Sequence, residues 1–74
     1  MKIPSINMKK TGERIIYFRK KAGISVKELQ GIFGFTNPQA IYKWQHGDSL
    51  PTIDNLVALA FLLNVTVDDI LVKE

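Results

Sequence analysis

The chain has 74 residues, enough for one domain, and its 46% apolar content excludes a disordered tail. It contains no cysteine, so disulfides and thiolate metal sites cannot supplement a small core, and packing and helix caps must hold the fold. The net charge of +3 is unevenly spread: residues 1–47 carry nine Lys/Arg and two acids, residues 48–74 one Lys and five acids. A basic half of this kind suits a polyanionic partner, and equally a solvated, lysine-rich helix face. Met1–Lys10 is polar and basic with no apolar signal core, and the longest apolar run, Leu56–Leu63, is too short to span a bilayer. The expectation is a cytoplasmic protein, neither secreted, lipid-anchored nor membrane-spanning.

In chain order, the punctuation marks five short helices, an all-α domain over residues 11–74 preceded by a flexible basic arm over residues 1–10. The first helix runs over 11–22. Thr11 is its N-cap, Glu13 favours the positive end of the dipole, Arg19, Lys20 and Lys21 favour the negative end, and Gly23 stops it. Ile15, Phe18 and Ala22 form its apolar face. In the second helix Ser25 and Glu28 have capping-box spacing, Val26, Leu29 and Phe33 point inward, and Gly34 closes it. The third runs over 38–46, with Asn37 as N-cap and Pro38 at the first helical position, where its missing N–H costs nothing. It turns Ala40, Ile41 and Trp44 inward and ends at Gly47. Thr52 caps a fourth helix through Leu63 whose core stripe is Ile53, Leu56, Leu59, Ala60 and Leu63, with Asn64 ending it. Thr66 and Asp69 repeat the capping pair for a fifth helix through Leu71 or Val72. Val65–Val67 is β-like in composition but too short and lies between helices.

Four residues, Gly34–Asn37, separate the second and third helices. Two short helices joined by a tight, glycine-containing turn read as a helix-turn-helix. In that motif the second helix places its N-terminal part in the DNA major groove, because a helix matches the groove's width and its free N–H groups attract phosphate.

A longer pattern runs through the chain: Gly12-Glu13-Arg14-Ile15, Arg19-Lys20, Gly23-Ile24-Ser25-Val26-Lys27-Glu28-Leu29 and Gly34-Phe35-Thr36. It continues with Ala40-Ile41-Tyr42-Lys43-Trp44, Gly47, Leu50-Pro51, Leu56, Leu59-Ala60, Leu63-Asn64-Val65 and Asp68-Asp69-Ile70-Leu71. In order and spacing, from Thr11 to Leu71, this set resembles the lambda-repressor-like, or XRE-type, helix-turn-helix family. The resemblance implies a compact five-helix DNA-binding domain, double-stranded DNA as partner, and no cofactor. It puts base reading at Pro38 and Gln39, then Tyr42 and Lys43. Gln39 suits adenine N6 and N7, Lys43 guanine O6 and N7, and Tyr42 a thymine methyl or a phosphate, whereas Pro38 offers shape alone. Asn37 either caps the helix or touches DNA. Phosphate contacts map onto the N–H groups following Ser25 and onto Lys27, Thr36 and His46, with Lys9 and Lys10 adding charge from the arm. The family usually dimerises at its fifth helix and the end of its fourth.

The chain departs from that pattern at several places. Val26 stands where the family often has a phosphate-binding Gln. Gln30 replaces a small residue, so Gly31 is expected to provide the room for close helix approach. Gln45 replaces a Glu, which turns an ion pair with Arg19 into a hydrogen bond. Asp48 stands where a cation is common.

Phe18, Phe33, Phe35 and Trp44 sit at core spacing, and His46 has no partner ligands for a metal. Ile16, Tyr17 and Phe61 fall beside the apolar stripes. Ile16 fits the core edge, and Tyr17 and Phe61 a dimer or partner patch. A regulator acting as a homodimer is the leading expectation, and a protein-interaction module on the same scaffold is the alternative. An enzyme is not expected: there is one histidine and no cysteine, and the adjacent Asp68 and Asp69 point in different directions on a helix.

Overall fold

The computed structural model describes residues 1–74 as five helices and no strands: α1 (Met8–Ala22), α2 (Val26–Phe33), α3 (Gln39–His46), α4 (Ile53–Leu63) and α5 (Val67–Ile70). Most ends follow the local chemistry of the sequence. Ser25 and Glu28 form a reciprocal capping box at α2, as do Thr66 and Asp69 at α5, and the Thr52 hydroxyl accepts from Asn55 N–H at α4. Asn64 takes the left-handed conformation that closes α4, with φ 58. α5 stops at Ile70, one or two residues earlier than expected, with Leu71 in extended geometry. No helix is long and apolar enough to cross a membrane.

The start of α1 differs from expectation. Its N-cap is Asn7, whose side chain accepts from Lys10 N–H at 2.9 Å, so the helix starts at Met8 rather than Thr11. Thr11 is fully buried instead, and its hydroxyl accepts from Val72 N–H at 3.0 Å. A buried hydroxyl with a partner 61 residues away is held by the fold and cannot serve as a local cap. The expected arm is correspondingly shorter. Asn7 N–H donates to the Val72 carbonyl and Glu74 N–H to the Ser5 carbonyl, which ties residues 5–7 against 72–74 around a bridge between Ile6 and Lys73. Lys9 and Lys10 are thus helical residues.

The core is Ile15, Leu29, Ile41, Trp44, Leu59, Ala60, Leu63 and Ile70, one or more from every helix. Phe18, Phe33, Phe35 and Leu56 pack against it, as their spacing predicts. Ala22 and Ile53 do not join it. Ala22 is exposed in the last turn of α1, and Ile53 is the first residue of α4, where its side chain points to solvent. Ile16, expected at the core edge, is half-buried but is not among the side chains packed against the core.

α1 and α3 make the closest approach, through two glycines. Gly12 lies on the backbone of α3's last turn, where a Cβ would stand 2.3 Å from the Gln45 carbonyl oxygen. Gly47, at φ +78, lies on α1's first turn, where a Cβ would stand 2.9 Å from Lys9 Cα. Gly31 plays no such part, because the space around its Cα is open. Gln30 instead turns its amide to the Phe35 carbonyl at 3.3 Å and braces the turn between α2 and α3.

Candidate nucleic-acid interface

The angle between α2 and α3 is set by three aromatic rings. Phe33 at the end of α2 stacks on Phe35 in the turn, with centroids 5.4 Å apart, and both meet Trp44 edge-on, at 5.7 and 5.9 Å. Such pairs favour one geometry beyond their burial, so α3 is held rigidly against α2. Arg19 of α1 adds a polar brace. Its Nε donates to Gln45 Oε1 at 2.9 Å and its Nη1 to the Ile24 carbonyl at 2.9 Å. This is the hydrogen bond expected between Arg19 and Gln45, and Gln45 is buried to receive it.

With Ile41, Trp44 and Gln45 buried, the opposite face of α3 is left for solvent. Gln39, Tyr42, Lys43 and His46 are all exposed there, at i, i+3, i+4 and i+7 spacing. The Tyr42 and His46 rings stack, 6.3 Å between centroids and 21° between planes, so the aromatic row is preordered. Pro38 occupies the N-cap position itself, one residue earlier than its expected place, and its carbonyl accepts from Tyr42 N–H. Asn37 Oδ1 accepts from Gln39 N–H at 3.0 Å. Its oxygen is therefore spent on the helix start, and the residue is exposed.

At α2, the Ser25 hydroxyl accepts from Glu28 N–H and Glu28 Oε1 accepts from Ser25 N–H, both at 3.0 Å. The Ser25 N–H, and then its hydroxyl, hold the Glu28 carboxyl below its ordinary pKa. The donors left for an incoming oxyanion are the N–H groups of Val26 and Lys27 at the open end of the helix. Lys27 and Thr36 are exposed.

The two arm lysines part company. Lys9 lies beside Gly47, at the C-terminal end of α3 and near His46. Lys10 lines a shallow cleft with Glu13, Arg14, Tyr17 and Val72. Arg14 donates to the Asp69 carbonyl at 2.7 Å. Tyr17 and Phe61 have separate surroundings. Tyr17 packs edge-on against Phe18, with the Lys21 ammonium 5.9 Å from its ring centroid, whereas Phe61 edges a cleft with Ala60, Asn64, Val65, Thr66 and Asp69. Sequence reasoning missed the brace from Gln30 and the glycine contact of Lys9. The first shows only as a polar residue at a helix position that usually packs, and the second leaves no local signal.

Two short helices clasped across a tight turn, the second presenting a polar row, define a helix-turn-helix domain. A family model for helix-turn-helix proteins matches residues 15–70. The chain belongs to the XRE-type, lambda-repressor-like helix-turn-helix family, a family of DNA-binding domains. No curated protein and no solved structure matches it.

Proposed function

We propose that this protein is a sequence-specific regulator of transcription, repressor-like, that binds double-stranded DNA as a homodimer on two half-sites about one helical turn apart. The observation that carries this reading is the exposed row Gln39, Tyr42, Lys43 and His46 on a helix whose other face is locked by Phe33, Phe35, Trp44 and Arg19.

Gln39 and Lys43 read base edges, Tyr42 meets a thymine methyl, and Asn37 and Pro38 shape the entry of the helix into the groove. The amides of Val26 and Lys27 after Ser25, with the side chains of Lys27, Thr36, His46 and Lys9, bind phosphates on either side. Lys10, on the α5 side of α1, adds only long-range charge. Asp48 is exposed next to the α3 end and opposes the phosphates there.

Fluorescence anisotropy against duplexes selected from a random pool, at several salt concentrations, tests this reading. Affinity that falls steeply with salt, and selected sites with two spaced half-sites, support it. Absence of binding at low salt would sink it.

A protein-interaction module on the same scaffold is the second reading, favoured by the exposed rings of Tyr17 and Phe61. It prevails if Tyr17→Ala abolishes function in the cell while Gln39→Ala with Lys43→Ala leaves it intact.

A further inference from the structure

α1 carries a second row of side chains that direct contact with DNA on α3 leaves unused. Lys10, Arg14, Tyr17 and Lys21 are all exposed and span roughly 16 Å of the helix. At roughly 100° per residue they fall within an arc of about 60°, centred about 180° from Gly12 and Arg19, whose side of α1 meets α3. DNA held on α3 therefore lies across the molecule from them.

The three cations of this row are unpaired. The chain's one ion pair joins Lys73 to Asp68, and the Asp69 carboxylate accepts from Thr66 N–H. Two of the four side chains are nonetheless held in place. Arg14 Nη1 donates to the Asp69 carbonyl at 2.7 Å. The Tyr17 ring, 59% exposed, packs edge-on against Phe18 at 5.3 Å, with the Lys21 ammonium 5.9 Å from its centroid. Lys10, Arg14 and Tyr17 border a shallow cleft that Val72 and Glu13 also line. A merely solvated lysine face has neither an anchored ring nor a cleft. Tyr and Arg fixed beside an apolar wall are the residue types that carry binding energy between proteins.

We propose that this face docks an acidic amphipathic helix of another protein, with carboxylates one to two turns apart on either side of a large apolar side chain. The apolar side chain enters the cleft against Tyr17 and Val72. The carboxylates pair with Lys10 and Arg14 at one end and with Lys21 at the other. This rests on the Tyr17 half of the interaction-module reading, gives that partner a chemistry, and leaves α3 free for DNA at the same time.

Three features favour an acidic protein over a second nucleic acid. Lys21 lies over one face of the Tyr17 ring, so the ring is a poor platform for stacking bases. Glu13 borders the cleft and repels phosphate, whereas a protein partner answers it with a cation or leaves it in water. The cations also recur at four and seven residues, the repeat at which a facing helix presents its own carboxylates.

The probe is a set of peptides selected from a displayed random library against the full chain. Selection should enrich sequences with Asp or Glu flanking a Leu, Phe or Met. Lys10→Glu with Lys21→Glu leaves the Tyr17–Phe18 contact untouched and should weaken a selected peptide at least about tenfold in fluorescence anisotropy. Exchanging the peptide's acids for lysines should restore binding to that variant. Tyr17→Ser should weaken the peptide as well, and because all three positions are exposed, unchanged melting temperatures verify folding. A selection without acidic peptides, or binding indifferent to the charge reversal, overturns the proposal. Gln39→Ala with Lys43→Ala should bind the peptide like the parent; loss there places the peptide on α3 in place of DNA and also overturns it. A single-stranded oligonucleotide that binds the parent and is lost in Tyr17→Ser assigns the face to nucleic acid instead. Peptides that depend on Phe61 and not on Tyr17 overturn this site and leave the interaction-module reading standing. If no duplex binds the chain, base reading by α3 fails while the peptide titrations still decide this face.

Discussion

Gly12 of α1 and Gln45 of α3 meet backbone to backbone: a Cβ on Gly12 would stand 2.3 Å from the Gln45 carbonyl oxygen and 2.7 Å from that of Trp44. Neither oxygen can swing aside as a side chain does. Gly12→Ala therefore sets two effects against each other. Helix propensity gains about 1 kcal/mol, and the forced separation of α1 and α3 costs about 1–3 kcal/mol or more. The clash wins, because both atoms it meets belong to a helix held by Trp44. The expected result is a melting temperature lower by about 5–10 °C, measured by circular dichroism, together with weaker DNA binding as α3 shifts. A variant as stable as the parent would show that the two helices can separate freely.

Gln45 is the only side chain that takes the Arg19 Nε–H. Removing it in Gln45→Ala leaves a half-buried guanidinium donor unpaired, at a cost of about 1–3 kcal/mol. Gln45→Glu keeps the acceptor and makes the bond charge-assisted. That variant should melt at or above the parent temperature at neutral pH and lose the advantage in acid, as the new carboxylate protonates. Urea unfolding at two pH values distinguishes these outcomes. Equal stability of Gln45→Ala and the parent would remove the brace from the account.

Base reading and phosphate binding leave different marks. Gln39→Ala should cost about 1–3 kcal/mol on the selected site and relax the preference at one base pair. Lys27→Ala should weaken binding evenly across sequences and reduce the slope of log affinity against log salt by about 1. Competition titrations with single-base variants of the site separate the two. An even loss across sequences for Gln39→Ala would move Gln39 from the bases to the backbone.

Acid should loosen the caps of α2 and α5. Ser25 N–H, then the Ser25 hydroxyl, hold the Glu28 carboxyl below its usual pKa, and Thr66 does the same for Asp69, with a smaller pull from Arg14. A carboxyl lowered in the folded state contributes stability that is present above its unfolded pKa and lost as pH falls through the folded one. The melting temperature should hold level near neutrality and decline below the ordinary carboxylate range. Glu28→Gln with Asp69→Asn keeps the capping acceptors but not the charges, so its decline should be shallower. An unchanged acid limb would mean that other groups govern it.

The candidate site was legible to the extent that it is local. The alternation of buried Ile41 and Trp44 with polar Gln39, Lys43 and His46 within one helix already separates a core face from a free face. The roles given to that free face came from resemblance. The spacing of α3 says that Gln39, Tyr42 and Lys43 share a surface, but not what the surface touches. The flanking contacts were less legible. The sequence leaves Asn37 open between cap and DNA, and in the structure its oxygen accepts from Gln39 N–H; Lys9 and Lys10, adjacent in sequence, border different neighbours because a helix turns successive side chains apart.

By itself the sequence determined where α2 to α5 begin and end to within a residue or two. Capping pairs such as Ser25 with Glu28 and Thr66 with Asp69 close over three residues and need nothing else. It also determined the helix-turn-helix near Pro38, since the turn and both caps are local. Only the tertiary structure decided the rest. Thr11 looked like a cap and became a buried acceptor for Val72. Gly31 looked like the close-packing glycine, and Gly12 is the one. Ile53 looked like core and faces solvent at the start of α4. Each of these depends on a neighbour distant in the chain, or on the lack of one. Helical periodicity records which residues share a face, but not which element, if any, arrives to cover it.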